Sequence, residues 1–230
     1  MIFYQLAPLT FLFVLVSCFN ENEKRFVEIQ GSTMGTTYEL KFPHQKQVNV
    51  EEISESITEI LKDFNLVSST YINQSEISKV NQKGLFKGSV SKEFTFLYEE
   101  GQRLYKLTEG AFNPTIGPLV NLWGFGPKKT SRLPTKSEVK KTRLSVGFHH
   151  FDLKKRILSK KSSNSYLDFS AFAKGRGVDL IFQFLKGLGY EDIYVEIGGE
   201  VRVLGKSRTW RIGVERPESK QQREAYKVLS

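Results

Sequence analysis

Asp168 and Lys174 stand six residues apart in the stretch LDFSAFAKGRGVD, with only uncharged small or aromatic residues between them. A carboxylate at a strand end followed by a lysine at a helix start could receive a polar, anionic ligand. The helix start offers unpaired amides and the positive end of the peptide dipole. A lysine there is disfavoured by that dipole unless an anion sits beside it. An equally simple reading makes Asp168 an N-cap and Lys174 a solvated charge, and no Walker motif decides between them. A second candidate is Gly31-Ser32-Thr33-Met34-Gly35-Thr36-Thr37-Tyr38. Its glycines and small hydroxylated residues would let backbone amides approach a ligand, and Met34 could pack on a flat ring. Residue type alone fits a flexible turn between two strands as well.

Other stretches carry weaker signals. STYINQSEIS, residues 69–78, places Tyr71 where it could cap a core or stack on a ring, while Ser75 and Ser78 suit the capping of a short helical turn. The stretch GAFNPTIGPLVNLWGFGP, residues 110–127, holds three of the seven prolines and four glycines. That is too many for an ordinary helix or strand, yet the segment is too apolar for a solvated loop. His44, His149 and His150 show no partner spacing; on a strand the adjacent pair would point to opposite faces, as surface or packing residues. There is no nucleophile elbow and no zinc-type Cys/His spacing.

The elements that must position these residues follow from periodicity. Val50, Ile53, Ile57, Ile60, Leu61 and Phe64 recur at helical spacing behind a candidate N-cap, Asn49. Further helices are predicted over Lys92–Leu107 and Lys174–Leu188. Strands are predicted at Phe26–Ile29, Tyr38–Phe42 and Trp210–Glu215, with another beginning at Ala225. IYVEIGGEVRVLG reads as a hairpin turning at Gly198-Gly199. Mixed helices and hairpins predict an α+β fold with mixed or antiparallel sheets and packed helices.

The chain has 230 residues, 39% of them hydrophobic, enough for one domain with a sizeable core. Its 34 Lys and Arg against 25 Asp and Glu give a net charge of +9, which attracts phosphates, nucleic acid or an anionic membrane. No run of like charges and no nucleic-acid motif accompanies it, so no nucleic acid is expected as a partner. Residues 1–17 are apolar and uncharged, of signal-peptide length, and lead into Cys18, the single cysteine. Leu15-Val16-Ser17-Cys18 resembles a bacterial lipobox, which would lipidate Cys18 and anchor the chain in the cell envelope. Residues 18–25 form a polar tether, and 26–230 the folded domain.

Taken in order, GSTMGTTY, STYINQSEIS, GAFNPTIGPLVNLWGFG, LDFSAFAKGRGVD, IYVEIGGEVRVLG and WRIGVERP resemble the ApbE family of flavin transferases over about residues 26–217. The resemblance implies a T-fold-like architecture and Mg2+-dependent transfer of FMN from FAD to a Thr or Ser hydroxyl of an exported flavoprotein, with AMP released. It implies that Met34 and Tyr71 contact the flavin, and that Ala111, Phe112 and Asn113 form a loop against FAD. Asp168 would bind the adenosine part, Lys174 would lie near the nucleotide, and the Ala171 carbonyl would ligate Mg2+. Pro114 and Pro118 would stiffen the apolar loop into a pre-formed wall for a flat ring. Asn113 stands where the family usually has Asp, an amide in place of a charge. The family's later segments, which carry its acid-base histidine and further metal ligands, are not found after Pro217, so a truncated transferase is expected. The alternatives are FAD hydrolysis to FMN and AMP, a non-catalytic flavin-binding lipoprotein, or an inactive fragment.

Overall fold

The computed structural model describes residues 26–45, 49–127, 129–216 and 225–230. The expected signal peptide, Cys18 and the tether lie outside the described residues. Chain order is β1 (Phe26–Thr33), β2 (Thr36–Pro43), α1 (Val50–Ser68), α2 (Glu76–Asn81), β3 (Phe86–Ser89), α3 (Lys92–Leu107), α4 (Gly117–Leu122) and α5 (Lys136–Arg143). There follow β4 (Phe151–Lys154), β5 (Ile157–Lys160), α6 (Ser170–Gly187), β6 (Asp192–Ile197), β7 (Glu200–Gly205), β8 (Ile212–Glu215) and β9 (Ala225–Leu229). All strand pairs are antiparallel, in the orders β1-β2-β6-β7, β3-β5-β4 and β8-β9. This is the expected α+β class. Among the described residues no helix is long and apolar enough to cross a membrane.

Two hydrophobic clusters hold these elements. In the first, alternate residues of β2 and β6 (Leu40, Phe42, Ile193, Val195, Ile197) meet Ile53, Ile57 and Leu61 of α1 and Val178, Ile181 and Leu185 of α6. Period-two strands and 3.6-period helices thus bury one face each against the other. Asn49 caps α1 as expected, its side chain accepting from Glu51 N at 3.0 Å. The second cluster joins Phe64, Ile77, Val80, Phe94, Leu97, Leu158, Leu167 and Phe169. Its aromatic pairs are edge-on, Phe94 against Phe169 with ring centres 5.4 Å apart. Helix α6 serves both clusters, and Met34 packs on both.

Several expectations are corrected. The turn between the first two strands is shorter than residues 31–37: β1 and β2 run to a two-residue turn, Met34-Gly35, with φ of 51° and 75°. The 110–127 stretch does contain a helix, because Pro118 falls in the first turn of α4, where its missing N–H is not needed. Helix α6 starts at Ser170, four residues before Lys174, because the Asp168 carboxylate accepts from Ser170 N at 2.9 Å and satisfies an orphan amide. Trp210 precedes β8; its ring packs against Phe26 and Tyr194, and its indole N–H donates to Leu204 O. His149 and His150 lie in a 3-10 turn, not a strand, with ring centres 3.9 Å apart, because tight helical turns do not send neighbours to opposite faces.

Candidate nucleotide site

A cavity of about 710 Å³ opens between the β1–β2 turn, the C-terminal end of α1 with the segment after it, and the first turns of α6. Met34 and Gly35 form one wall, Ser69, Thr70, Tyr71 and Ile72 a second, and Ser170, Ala173 and Lys174 the third. Three of the expected residues, Met34, Tyr71 and Lys174, are therefore brought together from segments 34, 71 and 174 residues along the chain.

Met34 occupies a conformation that a non-glycine residue adopts rarely. Tight hairpin turns of this kind favour Asn-Gly at their centre. Glu109, Lys155 and Arg156 share this backbone conformation, and what sets Met34 apart is its packing on both clusters. The packing partner is Gly177 of α6, where an added Cβ would lie 2.9 Å from Met34 Cε. Tyr71 is 63% exposed, its ring free to meet a ligand. Its hydroxyl reaches 3.5 Å from Phe125 O, so the 110–127 stretch stands beside it.

Lys174, in the second turn of α6, has an anion beside it, and that anion comes from the chain itself. Its ammonium lies 2.8 Å from Glu200 Oε2 and donates to Gly198 O at 3.2 Å. The Gly198-Gly199 turn, with φ of 55° and 96°, thus does more than reverse the chain. Both members of the pair are about one-third exposed, so the pair contributes at most about 1 kcal/mol.

Ala111, Phe112 and Asn113 do not line this cavity. They flank the start of α6 from the side of α3 and α4. Phe112 packs edge-on to Phe172 at 5.7 Å, and a Cβ at Gly101 of α3 would lie 2.9 Å from Pro114 Cγ. Asn113 Oδ1 accepts from Thr115 N at 3.0 Å and from Thr115 Oγ1 at 2.6 Å. Thr115 Oγ1 in turn accepts from Gly147 N. The Asn113 side chain therefore serves as an acceptor that folds its own loop, a role an uncharged amide oxygen fills. Asp168 N donates to Pro114 O at 2.8 Å, which joins this loop to the carboxylate.

Sequence reasoning overlooked several groups. Asn65 enters the cavity wall and donates to Thr33 Oγ1 at 3.1 Å, and nothing in its helical position marks it as more than a polar face residue. Burial raises the pKa of the Tyr166 phenol; a hydrogen bond with Asn121 opposes the shift and the Asp168 charge adds to it. The same ring packs so closely on Gly117 that a Cβ there would lie 3.1 Å from Tyr166 Cε1. As for metal, the Ala171 carbonyl lies in the first turn of α6. Among the described residues no three His, Cys, Asp or Glu side chains cluster as a metal site would need.

The ApbE family model matches residues 34–230. The chain belongs to the ApbE family. It is 38% identical over 230 residues to the FAD:protein FMN transferase of Vibrio cholerae, covering 97% of this chain and 68% of that relative. The FAD:protein FMN transferase of Haemophilus influenzae is 37% identical, with 94% of this chain and 65% of the relative covered. The chain thus spans about two-thirds of the length of these ApbE relatives. The solved structure of flavin transferase ApbE from Vibrio cholerae superposes with a TM-score of 0.82 at 37% identity, covering 89% of this chain and 68% of that one. The Thermotoga maritima ApbE structure shares the fold, with a TM-score of 0.76 at 24% identity.

Proposed function

We propose that this chain binds FAD in the cavity walled by Met34 and Tyr71 and transfers its FMN portion to a Thr or Ser hydroxyl of an exported flavoprotein. The observation that carries the reading is the convergence of an exposed aromatic ring, a strained apolar turn and a lysine on one cavity at the start of a helix. Met34 and Tyr71 suit the isoalloxazine ring, which offers flat apolar faces to a thioether and a phenol. Lys174 suits the phosphates: its pair with Glu200 is weak enough to be shared with an incoming anion. Asp168 does not itself line the cavity; its carboxylate bonds Ser170 N, which does, and from there it would accept from the adenosine end.

In the reaction the acceptor oxygen bonds to the FMN phosphorus, and the pyrophosphate P–O bond breaks. AMP leaves with the bridging oxygen, and the hydroxyl proton passes to a base. This chain's own residues contribute binding and orientation, which supply most of the catalysis in phosphoryl transfer. Magnesium bound with the substrate's phosphates would neutralise charge there, with Ala171 O as a donor. Among the described residues Ala171 O does not by itself complete a magnesium shell. The proposal also places the chain on the periplasmic face of a bacterial membrane, tethered through a lipid on Cys18. Fatty-acid labelling lost in Cys18→Ala would support that placement, and label retained there would refute it.

The activity is tested by incubating the protein with FAD, Mg2+ and a Thr-containing acceptor and weighing the acceptor by mass spectrometry. An added FMN mass, with AMP released, is expected. FMN and AMP without a labelled acceptor would point to hydrolysis, and FAD binding without either product to a flavin carrier. Asp168→Ala should weaken FAD about ten- to a hundredfold, the worth of a charge-assisted hydrogen bond, while leaving FMN binding alone.

A further inference from the structure

Asp168 sits on a segment with no regular support. Residues 165–169 belong to neither a strand nor a helix. A buried backbone outside a ladder must find its hydrogen bonds elsewhere. Here they come from two places. Asp168 N donates to Pro114 O. The residue before it, Leu167, is fully buried and is gripped by one side chain 86 positions away: Leu167 N donates to Asn81 Oδ1 and Asn81 Nδ2 donates to Leu167 O, each at 2.8 Å. The Asn81 amide thus does for Leu167 what a neighbouring strand would do.

Asn81 is the last residue of α2, a helix of six residues, too short to be stable alone. It is fastened at both ends by distant groups. The Glu76 carboxylate accepts from Ser91 N and Ser91 Oγ, both at 2.6 Å. The hydroxyls of Ser75 and Ser78 donate to Ser69 O at 2.6 and 3.3 Å. The Lys160 ammonium, 2% exposed, donates to Gln82 O at 2.5 Å. Ser69 begins the segment that presents Tyr71 to the cavity. Helix α2 therefore touches both ends of the site, the Tyr71 wall through Ser69 and the Asp168 segment through Asn81.

We propose that Asn81 is a positioning residue for Asp168: its paired bonds to Leu167 hold the carboxylate where the adenosine end of the dinucleotide arrives. The inference rests on the reading of Asp168 as the adenosine-side ligand. Its mechanism is geometric. With both bonds made, Leu167 cannot rotate about its neighbouring peptides without leaving a buried donor or acceptor unpaired. With them gone, Asp168 keeps its bonds to Pro114 O and Ser170 N, but the segment that leads into it is loosened and the carboxylate samples positions from which it no longer meets the ligand.

The test compares FAD with FMN, which lacks the adenosine half. Both are titrated by flavin fluorescence against the full chain at constant Mg2+, for wild type, Asn81→Ala, Asn81→Asp, Asp168→Ala and the Asn81→Ala/Asp168→Ala double variant, with thermal melts alongside. Asn81→Asp keeps the side chain's shape and the bond from Leu167 N but loses the donation to Leu167 O, so it serves if the alanine variant does not fold. Asn81→Ala is expected to weaken FAD about three- to tenfold, with FMN changed by less than about twofold. Asn81→Asp should fall between it and wild type. On the Asp168→Ala background, removing Asn81 should cost nothing further for FAD, because the group it positions is gone. Equal losses for FAD and FMN, or an undiminished loss on that background, would assign Asn81 to the fold alone. An inert Asn81→Ala beside a damaging Asp168→Ala would overturn the positioning role and spare the adenosine reading. An Asp168→Ala that treats FAD and FMN alike would remove both.

Discussion

The two hydrophobic clusters of this chain are held by different means. Around Leu40, Ile57, Val195 and Ile181, every strand is laddered to a neighbour and every helix turns an apolar stripe inward. Around Leu167 and Phe169, the helices α2 and α3 and the β3-β5-β4 sheet enclose irregular segments, where side chains bond the backbone in place of a ladder: Asn81 for Leu167, Asn113 for Thr115, Thr115 for Gly147, Lys160 for Gln82. The candidate nucleotide site lies where the two meet, at Met34 and the first turns of α6. The regular cluster carries the Met34 turn, and the irregular segment beside the other carries Asp168, whose carboxylate accepts from Ser170 N at 2.9 Å. A site needs groups that regular ladders would consume.

The difference can be broken most forcefully on the regular side. Leu40 is fully buried, and Leu40→Ala should destabilise the fold by about 2–5 kcal/mol in chemical denaturation. Its effect on FAD and FMN affinity, measured on the folded fraction, should be small and equal for both flavins. A selective loss of FAD binding would show that the regular cluster shapes the adenosine end directly.

On the irregular side the losses should be smaller but selective. Asn113→Ala removes the acceptor for Thr115 N and Thr115 Oγ1 and should cost about 0.5–1.5 kcal/mol of stability. FAD affinity should fall with it, because the loop that bonds Asp168 N loosens. Asn113→Asp preserves the acceptor oxygen and should leave both stability and affinity near wild type. If the aspartate variant instead gains Mg2+-dependent FAD affinity, the position has a charged role that the amide lacks.

The smallest effect is one of pH. Burial lowers the pKa of Lys160 in the folded protein from the ordinary lysine value of 10.5. Below the lowered value the fold must carry a buried ammonium. Between that value and 10.5 the unfolded chain binds more protons than the folded one, so stability rises with pH. The wild-type protein should therefore gain stability relative to Lys160→Met as pH is raised towards 10.5, in paired denaturation curves. A constant difference across that range would mean that the bond to Gln82 O offsets the burial of the charge.

Much of the regular cluster was legible in the sequence, because periodicity is a property of neighbours along the chain. The stripe of α1, its Asn49 cap, the bounds of α3 and the Gly198-Gly199 hairpin all follow from residues within a few positions of one another. The family was legible too, since its six blocks are themselves local strings. The spacing starts α6 at Lys174, four residues late, because the Asp168 carboxylate that meets Ser170 N depends on where the chain before it is held. The α4 turn was hidden by prolines, which mark a helix start as readily as a break.

What only the tertiary structure decided are the pairings between distant side chains and backbone. Nothing near Lys174 in the sequence names Glu200 as its partner, nothing near Met34 names Gly177, and nothing near Asn81 names Leu167. By itself the sequence determined the residue types, the elements and the family to which they belong. Which of those residues meet depends on how the elements stack, because an irregular segment takes its hydrogen bonds from whatever the fold brings beside it, and that neighbour leaves no period in the chain.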